Sequence, residues 1–199
     1  MSTRILALVG SLRAGSHNRQ LAEAAVRHAP DGLDITIFEG LAALPYYNED
    51  IDDGTQHAAE ALRAAVRDAD GLILFSPEYN GTMPALLKNA IDWLSRPFGS
   101  GAIAGKPVAV VGAAYGAYGG VWAHDDVRKS AGIAGAVVVE DVQLSVPASH
   151  ARFAETHPAE DAEIAVKLAE ILAVLVEAVV SRAVPEPRHA RAEVPVHQR

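Results

Sequence analysis

Short aliphatic runs alternate along the chain with longer segments in which apolar residues recur every three or four positions. The runs consist mostly of Val, Ile, Leu and Ala without polar interruption, which is typical of strands covered on both faces of a sheet. They predict five strands, at residues 4–10, 34–38, 71–76, 107–112 and 136–140.

The segments between these runs predict helices, because their apolar residues fall on one face at helical spacing. These helices are expected at residues 17–28, 56–68, 84–94, 121–131 and 158–181. Strands that alternate with helices predict a parallel sheet with helices on both faces, since parallel strands need crossover connections. The apolar stripe of the last helix is expected to cover this sheet, with docking to a partner helix as the alternative.

Length and composition favour one domain. The chain has 199 residues, half of them hydrophobic, enough for a single sizeable core. We expect the domain to span residues 1–184, followed by a tail at 185–199 that has three prolines, mixed charge and no apolar period. This tail is predicted to be mobile or docked on a partner.

Composition also excludes several functional classes. The chain has no cysteine, which excludes disulfides, thiolate metal sites and a cysteine nucleophile. Its net charge of −8 argues against a nucleic-acid-binding protein. No apolar run is long enough to span a membrane and no secretory signal is evident, so a cytoplasmic location without membrane association is expected.

The loop after the first predicted strand has the composition of a phosphate-binding site. In GSLRAGSHN, residues 10–18, it offers backbone N–H groups, the hydroxyls of Ser11 and Ser16, the Arg13 guanidinium and the Asn18 amide at the start of a helix. Such donors, with the positive end of the helix dipole, bind anions. Ser16 or Asn18 could instead simply cap the helix.

The same loop lacks two well-known nucleotide motifs. It contains neither the Walker lysine motif nor the glycine spacing of dinucleotide-binding folds. A monophosphate therefore fits better. In a doubly wound sheet of flavodoxin-like strand order, flavin mononucleotide (FMN) binds between the first and third strands.

The loop after the third strand offers a complementary surface. Residues 76–81, SPEYNG, place an aromatic ring and an amide, from Tyr79 and Asn80, beside backbone N–H groups. This combination suits a flat heteroaromatic ring with polar edges. Packing of Tyr79 against the sheet is the alternative interpretation.

These two segments, GSLRAGSHNR and SPEYNGTMPALLKNAIDWLSRP, resemble the NADPH-dependent FMN reductases, a flavodoxin-like family that includes quinone, chromate and azo-dye reductases. The resemblance covers roughly residues 4–145 and implies the strand order 2-1-3-4-5. It also implies cofactor contacts, to the FMN phosphate from Ser11, Arg13, Ser16 and Asn18, and to the isoalloxazine from Pro77, Glu78, Tyr79 and Asn80.

Two further segments acquire expected roles from the same resemblance. The loop at residues 44–50 should border the flavin site. The helical segment 88–93 should join the interface of a homodimer or homotetramer.

The loop after the fourth strand matches the family less closely. Residues 112–120 contain four glycines, which leave backbone amides open to a planar ligand. We expect cofactor contacts from Gly112, Tyr115 and Gly116, with a surface loop as the alternative. Family members often have a serine after this strand and an arginine beyond the glycines, where this chain has Ala113 and Val121-Trp122.

Other polar residues carry weaker signals. The eight histidines show no metal-ligand spacing, so no metal site is expected, and His124 with its two following aspartates is predicted to form a solvated helix face. Glu39 follows the second strand, as a ribose-binding acid does in dinucleotide folds, but the accompanying glycine motif is missing.

The predicted function is that of an FMN-dependent oxidoreductase. NADPH or NADH would deliver hydride to the flavin, and a small acceptor such as a quinone, free flavin, azo compound or oxyanion would take the electrons. No side chain is required as a general acid or base. The alternatives are a flavodoxin-type electron carrier without reductase activity and a hydrolase on the same fold, although the sequence has no G-x-S-x-G motif.

Overall fold

The computed structural model describes residues 2–140 and 142–183. The strands are β1 (Thr3–Val9), β2 (Leu33–Ile37), β3 (Gly71–Phe75), β4 (Pro107–Ala113), β5 (Val137–Val138) and β6 (Leu144–Val146). The helices are α1 (His17–Arg27), α2 (His57–Asp68), α3 (Ala85–Leu94), α4 (Val121–Ile133), α5 (Ser149–Arg152) and α6 (Ala162–Ala183). The predicted tail at residues 185–199 lies outside the described residues. No helix in the described part of the chain is long and apolar enough to cross a membrane.

All the strand pairs are parallel, and the order β2-β1-β3-β4-β5 confirms the prediction. The order reverses between β1 and β3, which pair directly. Ligands of doubly wound sheets bind outside the carboxyl ends of the strands at such a reversal. The topology therefore directs attention to the loops that follow β1, β3 and β4.

The last strand position is divided between two short strands. β5 pairs with the beginning of β4, from Pro107 to Val108, whereas β6 pairs with its end, from Val111 to Ala113. The prediction of one strand at 136–140 found the first piece and missed the second. β6 matters for the site because α5 follows it directly and is thereby held beside the end of β4.

Alternate side chains of each strand pack into two separate layers. Ile5, Ala7 and Val9 of β1 face α1 and α6, and Leu6 and Leu8 face the helices on the other side. The stripe predicted on the last helix is buried against the first of these layers, from Ile164 to Leu175, which confirms its role as a cover for the sheet.

Candidate functional site

A cavity of about 350 Å³ opens beside the ends of β1, β3 and β4. Its volume is within the range of small-molecule sites. It is bordered by the loops after these three strands, by the start of α1 and by the start of α5. The lining residues are Ser11, Arg13, Ser16, His17, Asn18, Pro77, Glu78, Tyr79, Ala113, Ala114, Tyr115 and Ser149.

A larger cavity of about 550 Å³ lies between α3 and α4. Its lining includes Ile91, Arg96, Phe98 and Ile133, and it has no residue in common with the loops after β1, β3 and β4. We regard the smaller cavity as the candidate site because of its position at the strand-order reversal and its polar donors.

The first loop presents donors at the start of α1. Ser16 is the N-cap of this helix, and the Arg19 backbone N–H donates to its hydroxyl oxygen at 3.3 Å. Capping leaves the Ser16 hydroxyl hydrogen available to a ligand. The Arg13 guanidinium is exposed at the cavity and has no carboxylate within ion-pair distance among the described residues. Together with the helix dipole, these groups make this end of the cavity attractive to an anion.

Asn18 uses its side chain to join the first loop to β4. Its Nδ2 donates to the Ala113 carbonyl at 2.8 Å, and the Ala113 N–H donates to its Oδ1 at 2.9 Å. The residue borders the cavity, and these two bonds make Asn18 a buried link between the start of α1 and the end of β4. The second Nδ2 hydrogen is not used by them, so the predicted contact with the phosphate stays a prediction.

Gly112 lies in the interior instead of facing the cavity. A Cβ at this position would press on the Ser76 carbonyl oxygen and lie 2.6 Å from His124 Nε2 and 2.8 Å from Asn18 Oδ1. Glycine is required here for close packing between strand ends. Gly112 therefore has a packing role, and neither Gly112 nor Gly116 is among the residues that line the cavity. Their backbone contacts with the cofactor stay predictions.

The third loop forms a miniature hairpin. Tyr79 and Thr82 exchange backbone hydrogen bonds of 3.1 and 3.2 Å, while Asn80 and Gly81 between them have φ of +54° and +76°. Two central residues with positive φ are the signature of a type I′ turn, which favours Asn-Gly. Asn80 stands at the exposed tip of this turn and does not line the cavity.

The hairpin brings Tyr79 to the first loop. Its hydroxyl lies 3.4 Å from Ser11 Oγ, and 49% of the residue's surface is exposed. The two loops singled out from the sequence therefore meet, as predicted. Glu78 next to it accepts a bond of 3.3 Å from the Ala123 N–H in the first turn of α4, where the helix dipole favours a negative charge.

His124 contradicts the expectation of a solvated helix face. It is fully buried, its Nε2–H donates to the Ser76 carbonyl at 3.0 Å, and its Nδ1 accepts from the Ser145 hydroxyl at 2.8 Å. Burial lowers the pKa of this imidazole to about 4 because the charged form would lose its hydration. A neutral His124 thus connects the ends of β3 and β6 beneath the cavity.

Tyr115 is the part of the fourth loop that reaches the cavity. Its ring is 5.9 Å from that of His17 and 5.2 Å from that of His150. The residue is largely exposed. The glycine-rich loop therefore supplies an aromatic side chain to the cavity wall, as expected for Tyr115.

His17 and Ser149 are lining residues that sequence reasoning missed. His17 Nδ1 and Ser149 Oγ are 3.1 Å apart although the residues are 132 positions apart in the chain. Burial, Arg13 and His150 lower the pKa of His17, in that order of importance. The one available signal was the position of His17 within the phosphate-type loop; nothing in the sequence indicated Ser149, because its place depends on the unpredicted β6.

The loop at residues 44–50 packs on α3 and contributes no side chain to the cavity lining. Pro45 accepts hydrogen bonds of 2.9 Å from Asn89 and from Trp93 Nε1, and the Tyr47 ring packs edge-on against Trp93. Glu39 is similarly engaged elsewhere, because its carboxylate forms a two-pronged ion pair with Arg19 at 2.6 and 2.7 Å.

Comparisons with known proteins identify the family of the chain. The model of the family described as NADPH-dependent FMN reductase matches residues 3–151. A 2-hydroxy-1,4-benzoquinone reductase from a Burkholderia species is 42% identical over 128 residues, which cover 64% of this chain and 69% of that protein. A quinone reductase from Pseudomonas putida is 43% identical over 127 residues, 63% of this chain and 68% of that one.

A solved structure is also similar over most of the chain. The flavoenzyme FerB from Paracoccus denitrificans, an NAD(P)H:(acceptor) oxidoreductase, has a TM-score of 0.81 at 27% identity. The alignment covers 90% of this chain and 98% of FerB.

Proposed function

Because the chain belongs to the NADPH-dependent FMN reductase family, we propose that the cavity of about 350 Å³ is the site in which it holds FMN. The protein is an FMN-dependent oxidoreductase that passes electrons from NAD(P)H to a small acceptor. Bound FMN supplies the redox chemistry, taking two electrons from the nicotinamide and giving them to the acceptor.

The phosphate end of FMN fits the first loop. Ser11, Arg13 and Ser16 line one region of the cavity at the start of α1. Arg13 is the strongest support for a phosphate here, because its guanidinium has no carboxylate partner among residues 2–140 and 142–183. Guanidinium and hydroxyl donors at a helix N-terminus are suited to a phosphate dianion.

The isoalloxazine end fits the other two loops. Pro77, Glu78, Tyr79 and Tyr115 line that part of the cavity and offer apolar and aromatic surface beside polar groups. In this proposal Asn80 supports the turn that presents Tyr79, and Asn18 and Gly112 keep the strand ends together. Gly116 belongs to the loop that carries Tyr115, and we propose that its backbone contacts the flavin, as predicted from the sequence.

The side chains bind and orient the cofactor and do not take part in bond making. Tyr79 and Tyr115 are about half-exposed, which leaves an opening through which a nicotinamide and then an acceptor could approach. Protons on the reduced acceptor can come from solvent, so no general acid is required.

A quinone is the acceptor class that we propose. Two similar proteins carry the name quinone reductase or benzoquinone reductase, and the aromatic side chains at the opening suit a flat, uncharged ring. Because the protein uses NAD(P)H, we propose that it is located in the cytoplasm.

A homodimer is the assembly that we propose. The predicted interface segment 88–93 belongs to α3 and borders the cavity of about 550 Å³ between α3 and α4. Phe98 and Ile133 at this cavity are 90% and 77% exposed. Apolar side chains of this size and exposure are typical of surfaces that a partner covers.

Spectroscopy and rapid mixing test the function. We expect the purified protein to be yellow or to bind added FMN, and its flavin absorbance to bleach when NADPH or NADH is added without oxygen. Addition of 1,4-benzoquinone should restore the absorbance faster than addition of ferric citrate. A bound flavin that neither nicotinamide bleaches would favour the electron carrier, and a protein that binds no FMN would contradict the proposal.

A further inference from the structure

His17 is placed where a phosphate at the start of α1 would meet it. It is the first residue of α1, it lines the cavity between Ser16 and Asn18, and its ring is 5.6 Å from that of Phe153 and 5.9 Å from that of Tyr115. This packing restricts the orientation of the imidazole. Its Nε2 has no hydrogen-bond partner within the described ranges.

The Ser149 hydroxyl couples the donor capacity of the pair to the protonation of His17. When His17 is neutral, the 3.1 Å contact between Nδ1 and Ser149 Oγ uses one hydrogen of the pair, and one donor is left for a ligand: the Nε2–H in one tautomer, the Ser149 hydroxyl in the other. When His17 is protonated, Nδ1–H donates to Ser149 instead, which frees the hydroxyl hydrogen. Protonation thus converts a pair with one available donor into a pair with two.

The groups around His17 disfavour its charge while no anion is bound. Arg13 from the first loop and His150 from α5 are the charged or titratable groups that act on it, and neither is negative. The Ser149 hydroxyl and the Tyr115 and Phe153 rings also lie beside it. Together with burial they lower the pKa of His17. A phosphate dianion at the same place would add two negative charges and raise that pKa.

We propose that His17 and Ser149 complete the phosphate site and that binding of FMN is accompanied by the uptake of one proton by His17. The inference rests on the proposed FMN site and adds to it a residue pair and a proton. The proton comes from solvent and stays on the imidazole as long as the phosphate is bound.

Calorimetry on the FMN-free protein tests the proton uptake. FMN is titrated at pH 7.5 in two buffers with different ionisation enthalpies, and the difference in heat gives the number of protons taken up. We expect a positive number for the wild type and a value near zero for His17→Phe, which keeps a ring against Tyr115 and Phe153. His57→Gln, an exposed histidine in α2, is the matched control and should behave like the wild type.

The pH dependence of FMN affinity provides a second readout. One linked proton changes affinity by at most about tenfold per pH unit, so the wild-type Kd should rise between pH 7 and pH 8.5, by more than about threefold and at most about thirtyfold. Phosphate esters lose their second proton near pH 6, so the ligand contributes little in this range. His17→Phe should change less than about twofold in the same range, because it lacks the linked proton.

Three outcomes are distinguishable. Proton uptake and a pH slope that persist in His17→Phe, or that disappear in His150→Gln instead, would overturn the inference. FMN binding without any proton uptake in the wild type would also overturn it while leaving the proposed function intact. Failure of the wild type to bind FMN at any pH would contradict the proposed function itself.

Discussion

At the residue scale, the polar side chains of the first loop divide into binding and positioning groups. Asn18 forms two hydrogen bonds with the backbone of Ala113 and thereby holds α1 against β4, and the Ser16 oxygen caps α1. Arg13 makes no ion pair within the described chain and faces the cavity. Its side chain can therefore be removed without breaking an ion pair of the fold.

Arg13→Ala should weaken FMN binding by about 10- to 100-fold, because a charge-assisted hydrogen bond contributes roughly 1.5–3 kcal/mol. Fluorescence titration of FMN against the FMN-free protein measures the effect. Arg27→Ala removes an exposed arginine from the other end of the same helix and should leave the Kd unchanged. Equal Kd values for the two variants would contradict the phosphate assignment.

His124 should make the fold sensitive to acid. Its pKa is about 4 in the folded protein, whereas an unperturbed histidine, as in the unfolded chain, has a pKa of 6.5. Between these pH values the unfolded chain therefore binds a proton that the folded chain does not. The contribution of neutral His124 to the free energy of unfolding is therefore fully present above pH 6.5. It falls by up to about 3 kcal/mol as the pH drops to 4.

Urea unfolding at several pH values tests this expectation. His124→Gln can still bond Ser76 or Ser145 but does not titrate, so it should lose less stability than the wild type between pH 6.5 and 4.5. The difference between the two proteins removes the contributions of other titrating groups. Parallel pH profiles would show that His124 is not the source of the acid sensitivity.

At the element scale, the site depends on the close approach of strand ends. The ends of β3, β4 and β6 meet around Gly112, with His124 and Asn18 filling the space beside it. The glycines of the fourth loop therefore differ in role: Gly112 is needed for close packing, whereas a Cβ at Gly116 would meet no atom within 4 Å.

Gly112→Ala should destabilise the protein by about 3 kcal/mol, at the upper end of the cost of overpacking, and should weaken FMN binding because Ser76 and Asn18 must move. Gly116→Ala is the matched control: its Cβ would meet no atom within 4 Å and its φ is not positive. It should lie within about 0.5 kcal/mol of the wild type. Urea midpoints measure both variants, and similar losses of stability in the two would refute the packing role of Gly112. FMN titration is applied to Gly112→Ala and the wild type, because Gly116 is itself a predicted flavin contact.

The sequence predicted those elements whose formation depends on local pattern. Strands β1 to β4 and the long helices have strong hydrophobic periodicity, and all were predicted to within a few residues. β6 has three residues and is defined by its pairing with β4, so it lacks a periodic signal of its own. The contact of His17 with Ser149 follows from that pairing and was out of reach for the same reason.

The meeting of the first and third loops was predictable, because parallel strands with a known order bring their carboxyl ends together. The direction in which each side chain points was not predictable from the sequence. The positive φ of a type I′ turn places Asn80 at the tip of the hairpin, which the sequence did not indicate, and its contact with the flavin stays a prediction. His124 looks solvent-exposed beside two aspartates, and its burial depends on β6.

At the scale of the whole molecule, the two cavities have different proposed functions, cofactor binding and association with a second copy of the chain. The smaller cavity lies at the strand ends beside the donors of the first loop and suits the cofactor, whereas the larger one lies between α3 and α4 beside two exposed apolar side chains. We have proposed that a second copy of the chain covers the latter. An uncovered surface of this kind would otherwise leave Phe98 and Ile133 in water.

Ile133→Glu should convert the proposed dimer into a monomer, because a carboxylate loses its hydration when it is buried in an interface. Light scattering should give about twice the chain mass of 20.9 kDa for the wild type and a single chain mass for the variant. Val166→Glu is the control, since Val166 is 58% exposed on α6, across the sheet from this cavity, and it should remain dimeric. A wild type of single chain mass, or dissociation of both variants, would contradict an interface between α3 and α4.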